Sequence, residues 1–184
     1  RLMLPFGAMF FGYIGDRHGR RRMLLLSMAC VTITMLITAL LPTYQQIGAA
    51  AGVLVLLLRA IMAFSVGGEY TGVVAYLLEG SRPRQRGLIT SIASAASEIG
   101  ALLAVGVSAI TVSLVSDANL DNWGWRIPFF IGAALASIVW IARSTMQESP
   151  DFARHRIHGV TSSLRDTLIH HRAVNGRTFA ISAL

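Results

Sequence analysis

Three ionisable residues, Arg59, Glu69 and Glu98, stand inside long apolar runs, and chemistry is to be sought there first. Insertion scales put the cost of a charge at the centre of a membrane helix at about 2.5–3.5 kcal/mol, so such a group faces a protein interior or a watery cavity. Arg59 and Glu69 share one run, Arg59-Ala60-Ile61-Met62-Ala63-Phe64-Ser65-Val66-Gly67-Gly68-Glu69-Tyr70-Thr71-Gly72. Ten residues separate the two, about 15 Å along a helix, so they cannot pair directly and each needs another partner. Arg59 suits an anionic group, or the tuning of a neighbouring carboxylate; Glu69 suits polar contact with a solute, or a proton. Glu98 lies in Ser91-Ile92-Ala93-Ser94-Ala95-Ala96-Ser97-Glu98. Spacings of three and four put Ser91, Ser94 and Glu98 on one helical face. That stripe reads either as cavity lining with a proton site or as a carboxylate locked in a structural bond. Neighbouring spans are expected to let Arg59 and Glu98 line one polar cavity.

Other chemistries find little support. No Gly-x-Ser-x-Gly and no phosphate-cradling loop is present, so no enzyme and no cofactor is expected. His155, His158, His170 and His171 fall in the polar segment Glu148 to Arg172. A metal at His170-His171 lacks a cysteine or a closely spaced third ligand, and these histidines are read as solvated loop residues. Cys30 is the sole cysteine, so no disulfide forms within the chain. The net charge of +7 and pI near 11.0 raise the question of nucleic acid, but the arginines are divided among short segments by apolar runs and do not form one patch.

The elements that must hold these groups are long. Met23–Leu41, Ile47–Leu78, Gly87–Ser116 and Trp125–Ala142 are apolar over span length, and about 20 apolar residues cross a bilayer. Leu2–Ile14 is shorter and reads as the end of an earlier span. The chain is 54% hydrophobic and 14% charged, against about 25% charged in soluble domains. A soluble bundle would show polar faces on its helices, and these runs do not. Intervening segments alternate in charge. Asp16–Arg22 holds Arg17, Arg20, Arg21 and Arg22; Pro42–Gln46 holds no basic residue; Ser81–Arg86 holds Arg82, Arg84 and Arg86; Val115–Trp125 holds only Asp117 and Asp121; Gln147–Arg172 is basic again. The positive-inside rule then puts the first, third and fifth segments in the cytoplasm, with Trp123 and Trp125 at an outer boundary.

Gly12-Tyr13-Ile14-Gly15-Asp16-Arg17-His18-Gly19-Arg20-Arg21-Arg22 is a tight basic turn between two spans. Its glycines suit turn angles and close helix approach, and Asp16 can pair with arginine across the turn. The motif resembles the loop signature of the major facilitator superfamily. Arg59 with Gly67-Gly68-Glu69, Ser81-Arg82-Pro83-Arg84-Gln85-Arg86-Gly87, Asp121-Asn122-Trp123-Gly124-Trp125-Arg126-Ile127-Pro128 and Gln147-Glu148-Ser149-Pro150 resemble, in order, segments of its metabolite:proton symporter family. Through Phe64-Ser65-Val66-Gly67-Gly68-Glu69-Tyr70-Thr71-Gly72 the chain resembles members of the proline/betaine type; citrate, 2-oxoglutarate and shikimate types share much of the pattern. Leu4 stands where the family usually has Arg, and Met62-Ala63 where it has Gln-Gly, so no substrate is carried over.

The resemblance implies an all-α polytopic membrane protein, a fragment of a twelve-helix bundle. Residues 1–15 would end a helix similar to the family's second, 16–22 would be the signature loop, 23–146 the third to sixth helices, 147–174 the central cytoplasmic loop, and 175–184 the truncated start of the next helix. It implies proton-coupled symport of a small polar metabolite by alternating access, or else a uniporter or exporter without proton symport. Gly12, Asp16, Arg17, Gly19 and Arg20 would gate, while Arg59, Glu69, Ser94 and Glu98 would line the pathway. The expected partners are the solute, protons and the lipid of a bacterial inner membrane, without nucleic acid, and the full-length protein is expected to be monomeric.

Overall fold

The computed structural model describes residues 3–147, and every regular element among them is helical. α1 (Met3–His18) turns into α2 (Arg20–Leu40) through the single residue Gly19. Gly19 has φ 103°, a backbone angle that glycine adopts without a Cβ clash, and its N–H bonds Gly15 O at 3.0 Å. The short α3 (Tyr44–Ile47) starts with a capping box in which Gln46 accepts from the Thr43 N–H. α4 (Ala49–Glu79) follows. A 3₁₀ turn at Pro83–Gln85 starts α5 (Arg86–Leu114); α6 (Asp117–Asn122) and a second 3₁₀ turn at Gly124–Arg126 lead into α7 (Ile127–Ser144). Pro128 falls in the first turn of α7, where its missing N–H costs no helical bond.

Four stretches, Arg20–Leu40, Ala49–Glu79, Pro83–Leu114 and Gly124–Ser144, are long and apolar enough to cross a membrane. Their hydroxyls are satisfied locally, as hydrocarbon demands: Thr34 bonds Cys30 O, Thr38 bonds Thr34 O and Ser65 bonds Ile61 O. Large apolar side chains cover the outside, with Leu56 and Leu102 both 71% exposed. In water such a surface would drive aggregation; in lipid it is the expected exterior.

α4 packs closely on α1 and α2, and glycine makes this possible. A Cβ on Gly67 would overlap the Leu4 backbone, one on Gly68 the Phe11 ring, and one on Gly72 the Met23 thioether. Gly7 of α1 meets the Phe64 backbone in the same way. Gly68 and Gly72, four residues apart, thus form a close-packing face on α4. Phe11, Met23 and Leu24 form the buried core, flanked by Ile14, Phe64, Val73 and Tyr76. α2 also packs against α7, where Met35 lies over Gly132 and Trp140 donates to Leu25 O at 3.1 Å. α5 touches α4 and α7 lightly and is exposed along nearly its whole length.

The bundle has one basic end. Arg20 reaches Glu79 at the end of α4, and Arg21 donates to Ser144 O at the end of α7. At the opposite end Arg126 donates to Leu41 O at 2.8 Å and to Asn122 O at 2.7 Å, with its guanidinium over the Trp125 ring.

Candidate functional site

Glu69 is brought inward by the glycines beside it. Gly67 and Gly68 let α4 approach α1, and Gly72 lets it approach α2; the Glu69 carboxylate between them reaches two other helices. Oε2 accepts from Ser27 Oγ of α2 at 2.7 Å, and Oε1 pairs with Arg143 Nη1 of α7. Ser27 is fully buried, and the Glu69 and Arg143 side chains are 17% and 18% exposed. Arg143 stands in the last turn of its helix, where the helix dipole favours a cation. The partner that Glu69 requires is thus supplied by a residue 74 positions away.

The ion pair borders a cavity of about 540 Å³ between α4, α5 and α7. Glu69, Tyr70, Ser97 and Arg143 supply its polar atoms, and the rest of its wall is valine, leucine, isoleucine and alanine. Tyr70 OH lies 3.2 Å from Ser94 Oγ and ties α4 to α5 beside it.

Arg59 and Glu98 stand differently. Both are exposed, and neither takes part in a hydrogen bond or ion pair among the described residues. On a helical projection Arg59 shares the α4 face of Val66, Tyr70 and Leu77, with Val66 about 10 Å along the axis. Glu98 and Ser91 fall on the side of α5 opposite the cavity-lining Ile89, Ile92, Ala93 and Ala96. Glu98 is therefore turned away from this cavity, and no bond joins it to Arg59 among the described residues.

The signature turn forms a second polar cluster. Arg20 bonds Asp16 and Glu79, each at 2.9 Å, and Arg17 donates to Tyr13 OH at 2.7 Å. Gly15 lies against the Arg20 side chain, whereas Gly12 faces open space, so close helix approach does not account for Gly12 here. Sequence reasoning missed Arg143, Glu79 and Ser27. The only available signal was the unmet need of Glu69 for a cation and of the arginine turn for an anion. His155, His158, His170 and His171 lie outside the described residues; no metal-binding group occurs among the described ones.

Membrane-length helices that hold an internal ion pair beside a cavity are the construction of a multi-pass membrane protein, and comparison with known proteins places it in a family. Residues 2–167 match the family described as sugar (and other) transporter. The chain belongs to that family, within the major facilitator superfamily, whose members matched here are transporters and not enzymes. It is 38% identical over 154 residues to the proline/betaine transporter of Escherichia coli K12, covering 84% of this chain and 31% of that protein. It is 40% identical over 157 residues to the citrate-proton symporter of Salmonella typhi, covering 84% and 36%. The alpha-ketoglutarate permease of E. coli K12 is 38% identical over 154 residues, covering 83% and 36%. The chain therefore spans about a third of the length of these relatives. Among solved structures, the xylose transporter XylE of E. coli, partially occluded and inward open, superposes with a TM-score of 0.77 at 21% identity, over 84% of this chain and 38% of that one. That likeness concerns the fold.

Proposed function

We propose that the full-length protein is a proton-coupled symporter of a small polar metabolite in a bacterial inner membrane, working by alternating access. The observation that carries this reading is the Glu69–Arg143 ion pair held inside membrane-length helices beside a cavity. A charge pair kept within the membrane at such cost generally belongs to a solute or ion pathway. Similarity to a citrate-proton symporter supports proton coupling. The arginine-rich end faces the cytoplasm by the positive-inside rule. The signature turn at Asp16, Arg17, Gly19 and Arg20 gates by holding helix ends together, with Gly12 part of the same motif. Arg59, Glu98 and Ser94 belong to the pathway on faces that other parts of the protein cover. The protein works as a monomer in lipid, with solute and protons as its partners.

The test is uptake by the full-length protein in cells lacking their own carriers, with labelled proline, betaine, citrate, 2-oxoglutarate and shikimate. Accumulation of one solute that a protonophore abolishes is the expected result. Accumulation or efflux indifferent to the proton gradient would identify a uniporter or exporter instead.

A further inference from the structure

Glu98 carries the inference. It is the one ionisable residue between Gly87 and Leu114, and it stands 12 residues past the start of α5 at Arg86, about 18 Å from the basic end of the bundle. It is exposed, and no hydrogen bond or ion pair reaches it among the described residues. The serines of its own helix are engaged elsewhere: Ser91 Oγ donates to Gly87 O, and Ser94 Oγ lies against Tyr70 OH. The face around Glu98 carries Ala95, Leu102 and Val105 at spacings of three and four, all exposed and all apolar. Such a face is built to be covered by protein or lipid, and a carboxylate covered without a partner is costly.

Height in the membrane excludes the cations that the described residues offer. Arg143 is taken by Glu69. Arg59 stands 20 residues before the end of α4 at Glu79, about 30 Å from the basic end. A short turn joins α4 to α5 at that end, so Arg59 lies about 12 Å above Glu98. Arg82, Arg84 and Arg86 lie in or beside the turn itself, well below it. A second copy does no better. Paired two-fold through this face, α5 would meet α5 with no cation at that depth, and the copy's Arg59 would be at the same wrong height. Lipid tails have no charge to offer. The chain spans about a third of the length of its relatives, which leaves protein outside residues 1–184 to cover the face.

We propose that the Ala95–Glu98–Leu102 face of α5 docks against a membrane helix from outside residues 1–184 that presents an arginine or lysine level with Glu98. The inference rests on the transporter reading above, which puts Glu98 on the pathway, and it assigns the partner that Glu98 lacks.

The experiment uses the full-length protein in native membranes. Photoreactive benzoylphenylalanine replaces Leu102, one turn from Glu98 on the same face, and its adducts are mapped by mass spectrometry. The expected adduct stays within one chain and joins a helix outside residues 1–184, with an arginine or lysine within a turn of the attachment point. Adducts to lipid alone, to a second copy, or to a helix with neither residue would overturn the proposal. Charge reversal then tests the pair. Glu98→Arg should cut the yield of folded protein, read by size-exclusion fluorescence, by about ten-fold or more. Reversing the mapped cation to glutamate as well should restore about half of that yield or more. Where the reversed pair does not fold, Glu98→Gln and the mapped cation changed to glutamine decide the matter. Their losses in melting temperature should fail to add in the double variant; additive losses mean that no bond joins the two. None of these readouts needs a substrate. A coupled pair in a protein that accumulates no solute would leave the docking face standing and remove the symport reading. Proton-driven uptake with an uncoupled Glu98 would do the reverse.

Discussion

Arg20 of α2 donates from Nε to Glu79 Oε1 of α4 at 2.9 Å while its Nη2 meets Asp16 of α1 at 2.9 Å. One guanidinium from the signature turn therefore joins the ends of three helices. Its neighbour Arg21 adds a fourth through Ser144 O. The Arg20 and Glu79 side chains are 19% and 20% exposed, whereas Asp16 is 52% exposed. The bond to Glu79 is thus the stronger of the two, since screening weakens the exposed pair.

Glu79→Gln should lower the stability of the full-length protein by about 1–2 kcal/mol, and Asp16→Asn by under about 0.5 kcal/mol. Thermal melting in detergent, monitored by size-exclusion fluorescence, measures both. Equal losses would mean that the Asp16 contact holds the end of α2 as firmly as the Glu79 contact.

Arg20→Ala and Asp16→Asn should reduce the turnover of uptake more than they weaken solute binding, with membrane insertion intact. Initial rates against solute concentration separate the two effects. Unchanged uptake in both variants would leave the turn as a topological marker alone.

Sidedness follows from where the arginines collect. In a cysteine-free full-length background, Gln45→Cys should react with a membrane-impermeant maleimide added to whole cells, and Gln85→Cys should react only after permeabilisation. The opposite pattern would invert the topology.

The α4 glycines should tolerate nothing larger. Gly68→Val and Gly72→Leu place atoms where Phe11 and Met23 already lie, and overpacking of this kind typically costs about 1–3 kcal/mol. Both should lower the yield of folded protein in the membrane. Gly12→Ala, which meets nothing within 4 Å, should fold like the wild type.

Glu98→Gln keeps shape and removes titration. It should abolish accumulation against a gradient while allowing solute to equilibrate, and Arg59→Lys should weaken a carboxylate solute by losing the planar fork. Counterflow and uptake assays distinguish these outcomes. Normal pH-dependent accumulation by Glu98→Gln would make Glu98 structural and turn attention to Glu69.

The amino-acid sequence by itself determined the solvent and the local geometry. Long uncharged runs specify lipid because the cost of burying unpaired charge is paid residue by residue, wherever the helix goes. The turn at Gly19 and the packing face at Gly68 and Gly72 were legible for the same reason: backbone angle and side-chain volume are properties of the residues themselves. The need of Glu69 for a partner could also be read, but not the partner's identity. Arg143 and Glu79 take their places 74 and 59 residues away from the groups they bond, and that depends on how each helix is rotated about its axis. The rotation is set by packing of Gly67, Gly68 and Gly72 on Leu4, Phe11 and Met23, a contact between elements that no single run contains. The turn of α5 about its own axis likewise directs Glu98 away from the cavity that Glu69 borders, so two carboxylates alike in sequence context have different surroundings. Helical periodicity gives the faces of a helix, and only tertiary packing decides which faces meet.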